Sequence, residues 1–570
     1  MVEWRLDWRP RKANHLLVMT EEDLQAYPCW YLDSAHSIPP WTPLFAWSWT
    51  HHQRYGDLWA AETIGLPRCR GTDWREIDGC AYMSPVLVTD EQEIKQREAR
   101  FKEHLRPFLE NYEQVWSGVI KELTTQFDRF KAFDVDNCPS QKLLDHFNKV
   151  FHFNYRVWAL HSWMMYSVYG LYTLFEDLCR EQVGIDDTSP LWHRLIRGFD
   201  NKQFEVDRQL WRLYEHAIEL DIGTVFRVTP DSEVVWALEE SEAGKKWLDE
   251  PGGFREFLNE HGWRMPRMME FNCKAWIEDP TPAISFIKQY MIKGGVFGMD
   301  VKRPEIVKER EEAEREILSR FPETQRGWLT MLMKIVQKAG SFSEEHDYYF
   351  EHTSHSLMRR AGLACGRRMA VKGLADGPED FVYLLPEEIE KNIISLSLDY
   401  HRLISERKEY YQEYSQRLPR PALIGKLADD PRKAREHMLA SRDNVMMKIT
   451  VGVAARVKAE LKADLYGNPG APGIAEGPVR LVAPETDITT IKPGEILVAA
   501  TTYSSWTPVF PMLKGIVLDS GASLSHAAIV GREYNIPVVL QAGEATRKLR
   551  NGQRIRIDGT KGAVWILQSD

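Results

Sequence analysis

The sequence predicts a large, mostly helical domain followed by a small α/β domain. Two observations lead to this fold class. Apolar residues recur three and four positions apart through most of the chain, and short strand-like runs follow a glycine- and proline-rich region near residue 466. The chain has 570 residues, 43% hydrophobic and 27% charged, a composition typical of a folded globular protein. We expect three parts, residues 1–90, 91–461 and 462–570.

Residues 1–90 combine many tryptophans with many prolines. Because proline breaks helices, we expect mostly extended and turn structure here, packed on the helical domain. The tryptophans either anchor a loop-rich segment or form the wall of an aromatic pocket or a partner interface. They are Trp4, Trp8, Trp30, Trp41, Trp47, Trp49, Trp59 and Trp74.

Residues 91–461 show the period of amphipathic helices, with Phe101, Leu105 and Phe108 on one face of the first. The stretch Val157–Phe175 is long enough to span a membrane and has no charged residue apart from one histidine. It is rich in serine and tyrosine, however, and stands alone in a chain of mean hydropathy -0.42. A buried helix of a bundle is therefore favoured over a membrane span.

Residues 462–570 change in composition and pattern. The segment 466–479 is rich in glycine and proline, which indicates a boundary and suits a domain that moves. Short strand-like runs then follow, most of them bounded by glycine, proline or aspartate, with a helix among them that begins near residue 525. The strand-like runs are VRLV, EILVAA, GIVLD, PVVLQ, RIRIDG and AVWIL.

Charge and cysteine content exclude other classes of protein. The formal net charge of -10 and the pI near 6.0 argue against a nucleic-acid binder, because phosphate backbones attract basic surfaces. The seven cysteines form no C-x-x-C pair, which is typical of reduced thiols and indicates neither a disulfide framework nor a zinc site. We expect a cytoplasmic protein that binds no nucleic acid and no membrane, and we predict no metal site.

The segment Asp519–Val539 carries the residues best suited to chemistry. A buried strand runs into a turn of small residues and then into a helix, and Ser525 is a suitable N-cap, which places His526 in the first helical turn. Free N–H groups there favour an anion, and Gly521 lets the backbone approach it closely. An imidazole so placed can accept and release a phosphoryl group. The residues alone leave two interpretations of His526 open, a phosphoryl carrier or a capping or core histidine.

This segment resembles the phosphohistidine motif of the mobile domain of PEP-utilising enzymes, a family that includes PEP synthase, pyruvate phosphate dikinase, rifampicin phosphotransferase and phenylphosphate synthase. The resemblance extends over PGAPGIAEGPVRLV, PGEILVAATTYSSWTPVFPMLKGIVLD and GASLSHAAIVGREYNIPVV. It implies a small swivelling β/β/α domain with His526 as the phosphocarrier and with Gly521 and Ser525 beside the phosphate. Where the family usually has a second glycine before the histidine, this chain has Ala522.

The helical part resembles, less specifically, the acceptor-binding domain of rifampicin phosphotransferase and phenylphosphate synthase. Matching pieces occur in order through most of residues 30–390, among them YLDSAHSIPPWTPLF, FLNEHGWRMPRMMEFNCKAWIEDP and EEHDYYFEHTSHSLMRRAGLACGRRM. Relatives often have Gly-His-Arg where this chain has Gly262-Trp263-Arg264. A catalytic histidine is therefore absent at this position, while Arg264 remains available for phosphate.

Several residues of the helical part are candidates for the acceptor site. Arg264, Arg359 and Arg360 have guanidinium groups suited to phosphate oxygens, and the alternative for each is a salt bridge to one of the many carboxylates. His346 is a candidate base for an acceptor hydroxyl, or else a buried core histidine. The aromatic helix offers either a wall for a flat hydrophobic acceptor or core packing. Its candidate residues are His161, Met165, Tyr166 and Tyr169.

The sequence contains neither a G-x-x-x-x-G-K-[ST] nor a G-x-G-x-x-G phosphate loop, and it ends soon after the motif helix. The resemblance then implies that a separate ATP-grasp subunit binds ATP and Mg²⁺ and phosphorylates His526, with AMP and phosphate as products. We expect the phosphohistidine subunit of an aryl-alcohol kinase that acts on a phenol or a hydroxyphenyl ketone. Two alternatives stay open, the corresponding subunit of a split antibiotic phosphotransferase and a non-enzymatic phosphocarrier or regulatory protein.

Overall fold

The computed structural model describes residues 16–34, 36–186, 189–265, 270–293, 298–416, 420–440, 461–483 and 488–567. The predicted fold class is confirmed over these residues, because helices dominate up to residue 440 and a small β-rich domain follows. No helix in the described ranges is long and apolar enough to cross a membrane. All seven cysteines are free thiols.

The N-terminal part contains a small antiparallel sheet and a long helix, α2 (Pro43–Ile64). The expectation of mostly extended structure was wrong over α2. Pro43 occupies the first helical turn, where no N–H is required, and no proline interrupts the helix after it. Trp4 and Trp8 lie outside the described residues. The other elements are α1 (Glu21–Ala26) and, in sheet order, β2 (Cys69–Ile77), β3 (Cys80–Leu87), β1 (Trp30–Leu32) and β4 (Leu423–Ile424).

Long helices pack around α4 (Ser140–Val183). The apolar stretch 157–175 lies inside α4, and most of its side chains are buried in the core. The helix α3 (Glu91–Lys131) is kinked at Asn111, whose backbone angles are not helical, and it also contains Pro107. The remaining helices are α12 (Gly298–Ser319), α13 (Glu323–His346), α14 (Ser354–Val371), α15 (Pro386–Ser395), α16 (His401–Ser415) and α17 (Pro431–Ala440).

Shorter helices between α4 and α12 support the C-terminal domain. They share one apolar cluster with it, in which the rings of Phe204 and Tyr534 meet edge to face with centroids 5.9 Å apart. The two parts are therefore packed together in this structure. These helices are α6 (Lys202–Glu219), α7 (Gly223–Val228), α8 (Val234–Glu239), α9 (Glu242–Asp249), α10 (Phe254–His261) and α11 (Thr281–Lys293), whereas α5 (Pro190–Leu195) packs in the core of the long helices.

The C-terminal domain is built on an eight-stranded sheet in the order β5-β12-β11-β7-β8-β9-β10-β6, in which β7 to β10 run parallel. The helix α18 (His526–Tyr534) connects β9 to β10. Ligands of such sheets bind beyond the carboxyl ends of the parallel strands, and His526 follows the carboxyl end of β9. The elements are β5 (Leu465–Tyr466), β6 (Asn468–Ala471), β7 (Ile474–Val482), β8 (Ile496–Ala499), β9 (Gly515–Leu518), β10 (Val538–Leu540), α19 (Ala545–Lys548), β11 (Arg554–Asp558) and β12 (Ala563–Ile566).

Candidate active site

A cavity of about 160 Å³ lies where the C-terminal domain meets the helical part. The C-terminal domain contributes His526 together with Gly521 and Ser525 of the preceding loop. The helical part contributes aromatic rings, imidazoles and carboxylates, so the cavity combines an apolar wall with ionisable groups. The aromatic wall consists of Trp49, Trp74, Trp158 and Tyr169.

His526 is the first residue of α18 and follows Ser525 at the N-cap. Its Nδ1 atom lies 2.8 Å from Oε2 of Glu344, and its Nε2 atom lies 3.4 Å from Oγ1 of Thr507. The ring meets Phe510 edge to face, with centroids 5.3 Å apart. A carboxylate only accepts hydrogen bonds, so Nδ1 of His526 carries a hydrogen, and it is Nε2 that holds the nucleophilic lone pair whenever the imidazole is neutral.

Buried groups of the helical part fix the position of the Glu344 backbone. Nε2 of Gln203 donates to its backbone carbonyl at 3.2 Å, and Oε1 of Gln203 accepts from Arg264 at 2.6 Å. Arg264 is fully buried and stacks over the ring of Trp276, and burial lowers the pKa of its guanidinium to about 10. Arg264 does not line the cavity. The prediction that it contacts the phosphoryl group is corrected, since it reaches the site through Gln203.

Arg359 and Arg360 also lie away from the cavity. Arg359 forms salt bridges with Glu278 and Glu379 at 2.9 and 2.7 Å, which satisfy its fork of donors. Arg360 donates to two backbone carbonyls at the end of α3 and just beyond it, at 2.9 and 2.8 Å. Both arginines tie helices together, and the prediction that they stabilise a phosphoryl group is corrected.

The aromatic helix brings His161, Met165 and Tyr169 to the cavity wall, whereas Tyr166 faces elsewhere. Residues four apart lie on one face of a helix, and the next residue points about 100° away. Tyr166 is fully buried near Asp57, which together with burial raises the pKa of its hydroxyl. Tyr166 is therefore corrected from a substrate-binding residue to a core residue.

Two imidazoles and two carboxylates meet on the cavity wall, and we call His161, His346, Asp347 and Glu351 the imidazole–carboxylate cluster. Nε2 of His346 lies 3.1 Å from Oδ1 of Asp347 and 3.5 Å from Oε1 of Glu351. Nε2 of His161 lies 3.7 Å from the same oxygen of Glu351.

Burial lowers the pKa of His346, but Asp347 and Glu351 outweigh this effect and raise it to about 9. The two carboxylates thus favour the protonated imidazole of His346, which has no lone pair for the acceptor's proton. His346 lies on the cavity wall, and its role as the general base stays a prediction of the sequence.

A π-helical turn, Asp347–Thr353, joins α13 to α14 and brings Asp347, Glu351 and His352 to the cavity. Such turns often occur at functional sites. The sequence interpretation missed Asp347 and Glu351, and it also missed the contact between Glu344 and His526. The signal that points to them is the dense run of ionisable residues in EEHDYYFEH.

The loop before His526 has the backbone that this site needs. Gly521 has a φ of +107°, which side chains other than glycine rarely adopt, and an added Cβ would lie 3.1 Å from Oγ of Ser525. That Oγ is buried and makes no hydrogen bond with the described residues, so it is available to a ligand. Arg532 stabilises the loop by donating a hydrogen bond to the backbone carbonyl of Ser523 at 2.8 Å.

Polar contacts hold the C-terminal domain against the helical part. They surround His526 and reach the far end of α18, so His526 is fixed at the cavity in this structure. Besides the contact between His526 and Glu344, they are Ser343 to the Leu524 carbonyl (2.9 Å), His352 to Ser504 (2.9 Å), the Gly198 N–H to Glu533 (2.7 Å), Arg197 to Asn535 (2.7 Å) and Tyr534 to Asp207 (3.3 Å).

Residues 491–562, which contain His526, match the family model described as PEP-utilising enzyme, mobile domain. The C-terminal domain, called the mobile domain below, is thus similar to the mobile domain of PEP-utilising enzymes. The model described as rifampicin phosphotransferase fourth domain matches residues 160–344, from the helix that lines the cavity to the carboxylate that contacts His526. The resemblance drawn from the sequence is thereby confirmed.

Curated relatives match between 61% and 72% of the chain. The chain is 28% identical over 424 residues to chondramide synthase cmdD of Chondromyces crocatus, covering 72% of this chain and 10% of that protein. It is 26% identical over 380 residues to the uncharacterized phosphotransferase YvkC of Bacillus subtilis, covering 66% and 43%. It is 27% identical over 366 residues to rifampicin phosphotransferase of Bacillus cereus, covering 61% and 39%. The chain thus spans less than half the length of these relatives.

Proposed function

We propose that this chain is the phosphohistidine-carrying and acceptor-binding part of an aryl-alcohol kinase. His526 receives a phosphoryl group that originates from ATP and passes it to a phenolic hydroxyl in the cavity, with AMP and phosphate as the other products. The observation that carries this proposal is the position of His526 at an aromatic cavity, with Nδ1 engaged by Glu344 and Nε2 left to carry phosphate.

The transfer step breaks the bond between phosphorus and Nε2 and forms a bond between phosphorus and the acceptor oxygen. The electron pair of the broken bond returns to Nε2, and the hydroxyl proton passes to the carboxylate of Asp347 on the cavity wall. Oγ of Ser525 and the first N–H groups of α18 supply hydrogen bonds to the phosphate oxygens. Phosphoryl transfer of this kind depends mostly on positioning and charge neutralisation.

The size of the cavity supports a small acceptor. Its volume is about 160 Å³. A cavity of about 150 Å³ holds a benzene ring, and sites for drug-sized ligands are typically about 300–1,000 Å³. A single phenolic ring therefore suits this site better than a macrocycle does.

A second candidate acceptor is a macrocyclic antibiotic, as in a split rifampicin-type phosphotransferase. The match of residues 160–344 to the rifampicin phosphotransferase fourth domain favours this alternative. The cavity volume argues against it in the docked arrangement, because a macrocycle would need the mobile domain to sit further from the wall.

The phosphoryl donor in this proposal is ATP with Mg²⁺, bound by an ATP-grasp subunit. The phosphotransferases that the chain matches are more than twice as long as the matched region, which leaves room in them for a nucleotide-binding part. In our proposal, a partner polypeptide supplies that part. The mobile domain then carries phosphohistidine from the partner to the cavity.

Acceptor profiling tests the proposal. The full chain would be phosphorylated with its ATP-grasp partner, or with phosphoramidate as a chemical donor, and then mixed with phenol, 4-hydroxyphenyl ketones or rifampicin. We expect aryl phosphate from the small phenols, detected by ³¹P NMR, and none from the His526→Asn variant. Transfer to rifampicin alone would favour the antibiotic alternative, and a stable phosphohistidine that reacts with no acceptor would favour a non-enzymatic carrier.

A further inference from the structure

The cavity wall contains a set of side chains that the phosphohistidine chemistry does not require. We propose that His161, His346 and Glu351 bind a divalent first-row transition-metal ion, with Zn²⁺ and Mn²⁺ as the principal candidates. Each residue offers one ligand atom, and these atoms lie within 4.8 Å of one another. The site is formed by α4, the end of α13 and the π-helical turn.

The separations of the ligand atoms suit one ion. Oε1 of Glu351 lies 3.5 Å from Nε2 of His346 and 3.7 Å from Nε2 of His161. An ion with bonds of about 2.1 Å holds neighbouring ligand atoms about 3.0–3.4 Å apart. The imidazole atoms of His161 and His346 lie within 4.8 Å of each other, so the site closes when the two rings rotate toward each other and toward Glu351.

His161 gives an independent reason to expect a ligand. Neither of its ring nitrogens makes a hydrogen bond with the described residues, although the residue is only 2% exposed. An unsatisfied polar ring in the interior costs free energy, so such a group normally has a partner. Burial lowers the pKa of His161 to about 3, which keeps the imidazole neutral, the form that binds metals.

The kind of ion follows from the ligands. Two imidazoles and one carboxylate suit Zn²⁺, Mn²⁺, Fe²⁺ or Co²⁺, whereas Mg²⁺ and Ca²⁺ prefer oxygen ligands. The site is thus chemically distinct from the Mg²⁺ that accompanies ATP. A bound ion replaces the proton on His346, because metal ligands bind in their deprotonated form.

The position of the site suggests what the ion does, and this step rests on the proposed function. All three proposed ligands line the cavity in which the acceptor would bind. A phenol has a pKa near 10, as tyrosine does, and an ion bound to its oxygen lowers that value. The ion would then hold a phenolate oxygen on the wall, within the cavity that His526 also lines.

A second cluster of possible ligands, Glu205, Glu260 and His261, serves as an internal control. Nζ of Lys202 lies 2.8 Å from Glu205 and 3.7 Å from Glu260, so a cation already neutralises these carboxylates. Both carboxylates are also partly exposed to water. We expect this second cluster to bind no ion.

Metal binding by the full chain tests the proposal without any donor or acceptor, so its result is independent of the proposed function. The protein would be stripped with EDTA and titrated with ZnCl₂, MnCl₂ or MgCl₂ by calorimetry, and CoCl₂ would report coordination through its visible absorption. We expect one equivalent of Zn²⁺ or Mn²⁺ and no stoichiometric binding of Mg²⁺. In His161→Gln and Glu351→Gln we expect affinity to fall by at least about ten- to a hundredfold, and in Glu205→Gln we expect no change.

Two results would overturn the proposal. One is the absence of stoichiometric Zn²⁺, Mn²⁺ and Co²⁺ binding by the unaltered chain. The other is binding that persists unchanged in Glu351→Gln. Circular dichroism melting checks that the variants fold, and if His161→Gln does not, the Glu351→Gln result decides, because Gln conserves the size of that side chain.

Discussion

Oε2 of Glu344 lies 2.8 Å from Nδ1 of His526, although 182 residues separate them in the chain. Glu344 belongs to the helical part and His526 to the mobile domain, so the contact exists only when the two are docked. In the proposed function, Glu344 is therefore a positioning residue for delivery of the phosphoryl group to the acceptor, and it takes no part in the phosphorylation of His526 by the donor.

Replacing Glu344 by Gln should slow the transfer of the phosphoryl group from His526 to the acceptor without slowing the phosphorylation of His526 by the donor. A hydrogen bond to a charged group contributes about 1.5–3 kcal/mol, which corresponds to roughly a ten- to a hundredfold slower transfer to the acceptor. Phosphorylation of His526 by the donor should keep its rate. Single-turnover kinetics of the two half-reactions would measure both effects.

The neighbouring variant Glu345→Gln is the matched control. Glu345 accepts a hydrogen bond from Trp116 at 2.7 Å and does not line the cavity, so its loss should leave both half-reactions unchanged. Equal slowing of loading and delivery in Glu344→Gln would contradict the positioning role.

Gly521→Ala should slow phosphorylation of His526. A φ of +107° strains any other residue by about 1–3 kcal/mol, and the new Cβ would press on Oγ of Ser525. Gly543→Ala is the control, because Gly543 also has a positive φ, of +69°, but has open space around it. Both variants should melt at lower temperature. A normal labelling rate in Gly521→Ala would show that the loop conformation does not matter.

Docking of the mobile domain should weaken as pH rises toward 7. Burial against the helical part raises the pKa of Glu533 to about 7, and the Gly198 N–H, Arg303 and Arg532 oppose this without cancelling it. An exposed glutamate has a pKa of about 4.3, so the docked state binds more protons than the undocked state between these two values. Protonation of Glu533 therefore contributes its full share to the free energy of docking below about pH 4.3, and this contribution is lost as pH rises through about 7. Energy transfer between dyes on the two parts would measure docking from pH 5.5 to 8.

Glu533→Gln should reduce this pH dependence by about half and strengthen docking at pH 8. The remainder comes from Asp207, which faces Tyr534 across the same interface and whose pKa burial also raises to about 7. The exposed Glu476 lies on β7, and Glu476→Gln should keep the full dependence. An unchanged pH profile in Glu533→Gln would rule out this linkage.

Filling the cavity should block small acceptors. Met165→Trp places a larger side chain in a space of about 160 Å³, so we expect KM for phenol to rise by at least about tenfold while labelling of His526 persists. Tyr166→Phe alters the adjacent residue on the core side of the helix and should leave KM unchanged. If Met165→Trp keeps its KM, the acceptor binds elsewhere.

The phosphohistidine segment was predictable from the sequence because its determinants are local. The strand, the small-residue turn and Ser525 before His526 lie within a dozen residues. The contact from Glu344 was not predictable, since it depends on how two distant parts of the chain pack. The long helix α2 was missed because prolines just before Pro43 suggested a break where a helix begins.

The acceptor side was harder because residue type does not determine which way a buried side chain points. Met165 and Tyr166 are neighbours of similar character, yet only Met165 lines the cavity. The guanidinium of Arg359 could bind phosphate oxygens, but its donors already form salt bridges with Glu278 and Glu379. Such choices are set by the packing between helices.

The most direct test of the account is where the phosphoryl group attaches. The full chain would be labelled with its donor, digested and mapped by mass spectrometry under alkaline conditions that preserve phosphohistidine. We predict one acid-labile phosphoryl group on His526, its loss when a small phenol is added, and none in His526→Asn. A label on another residue, or equal labelling of His526→Asn, would contradict the central claim.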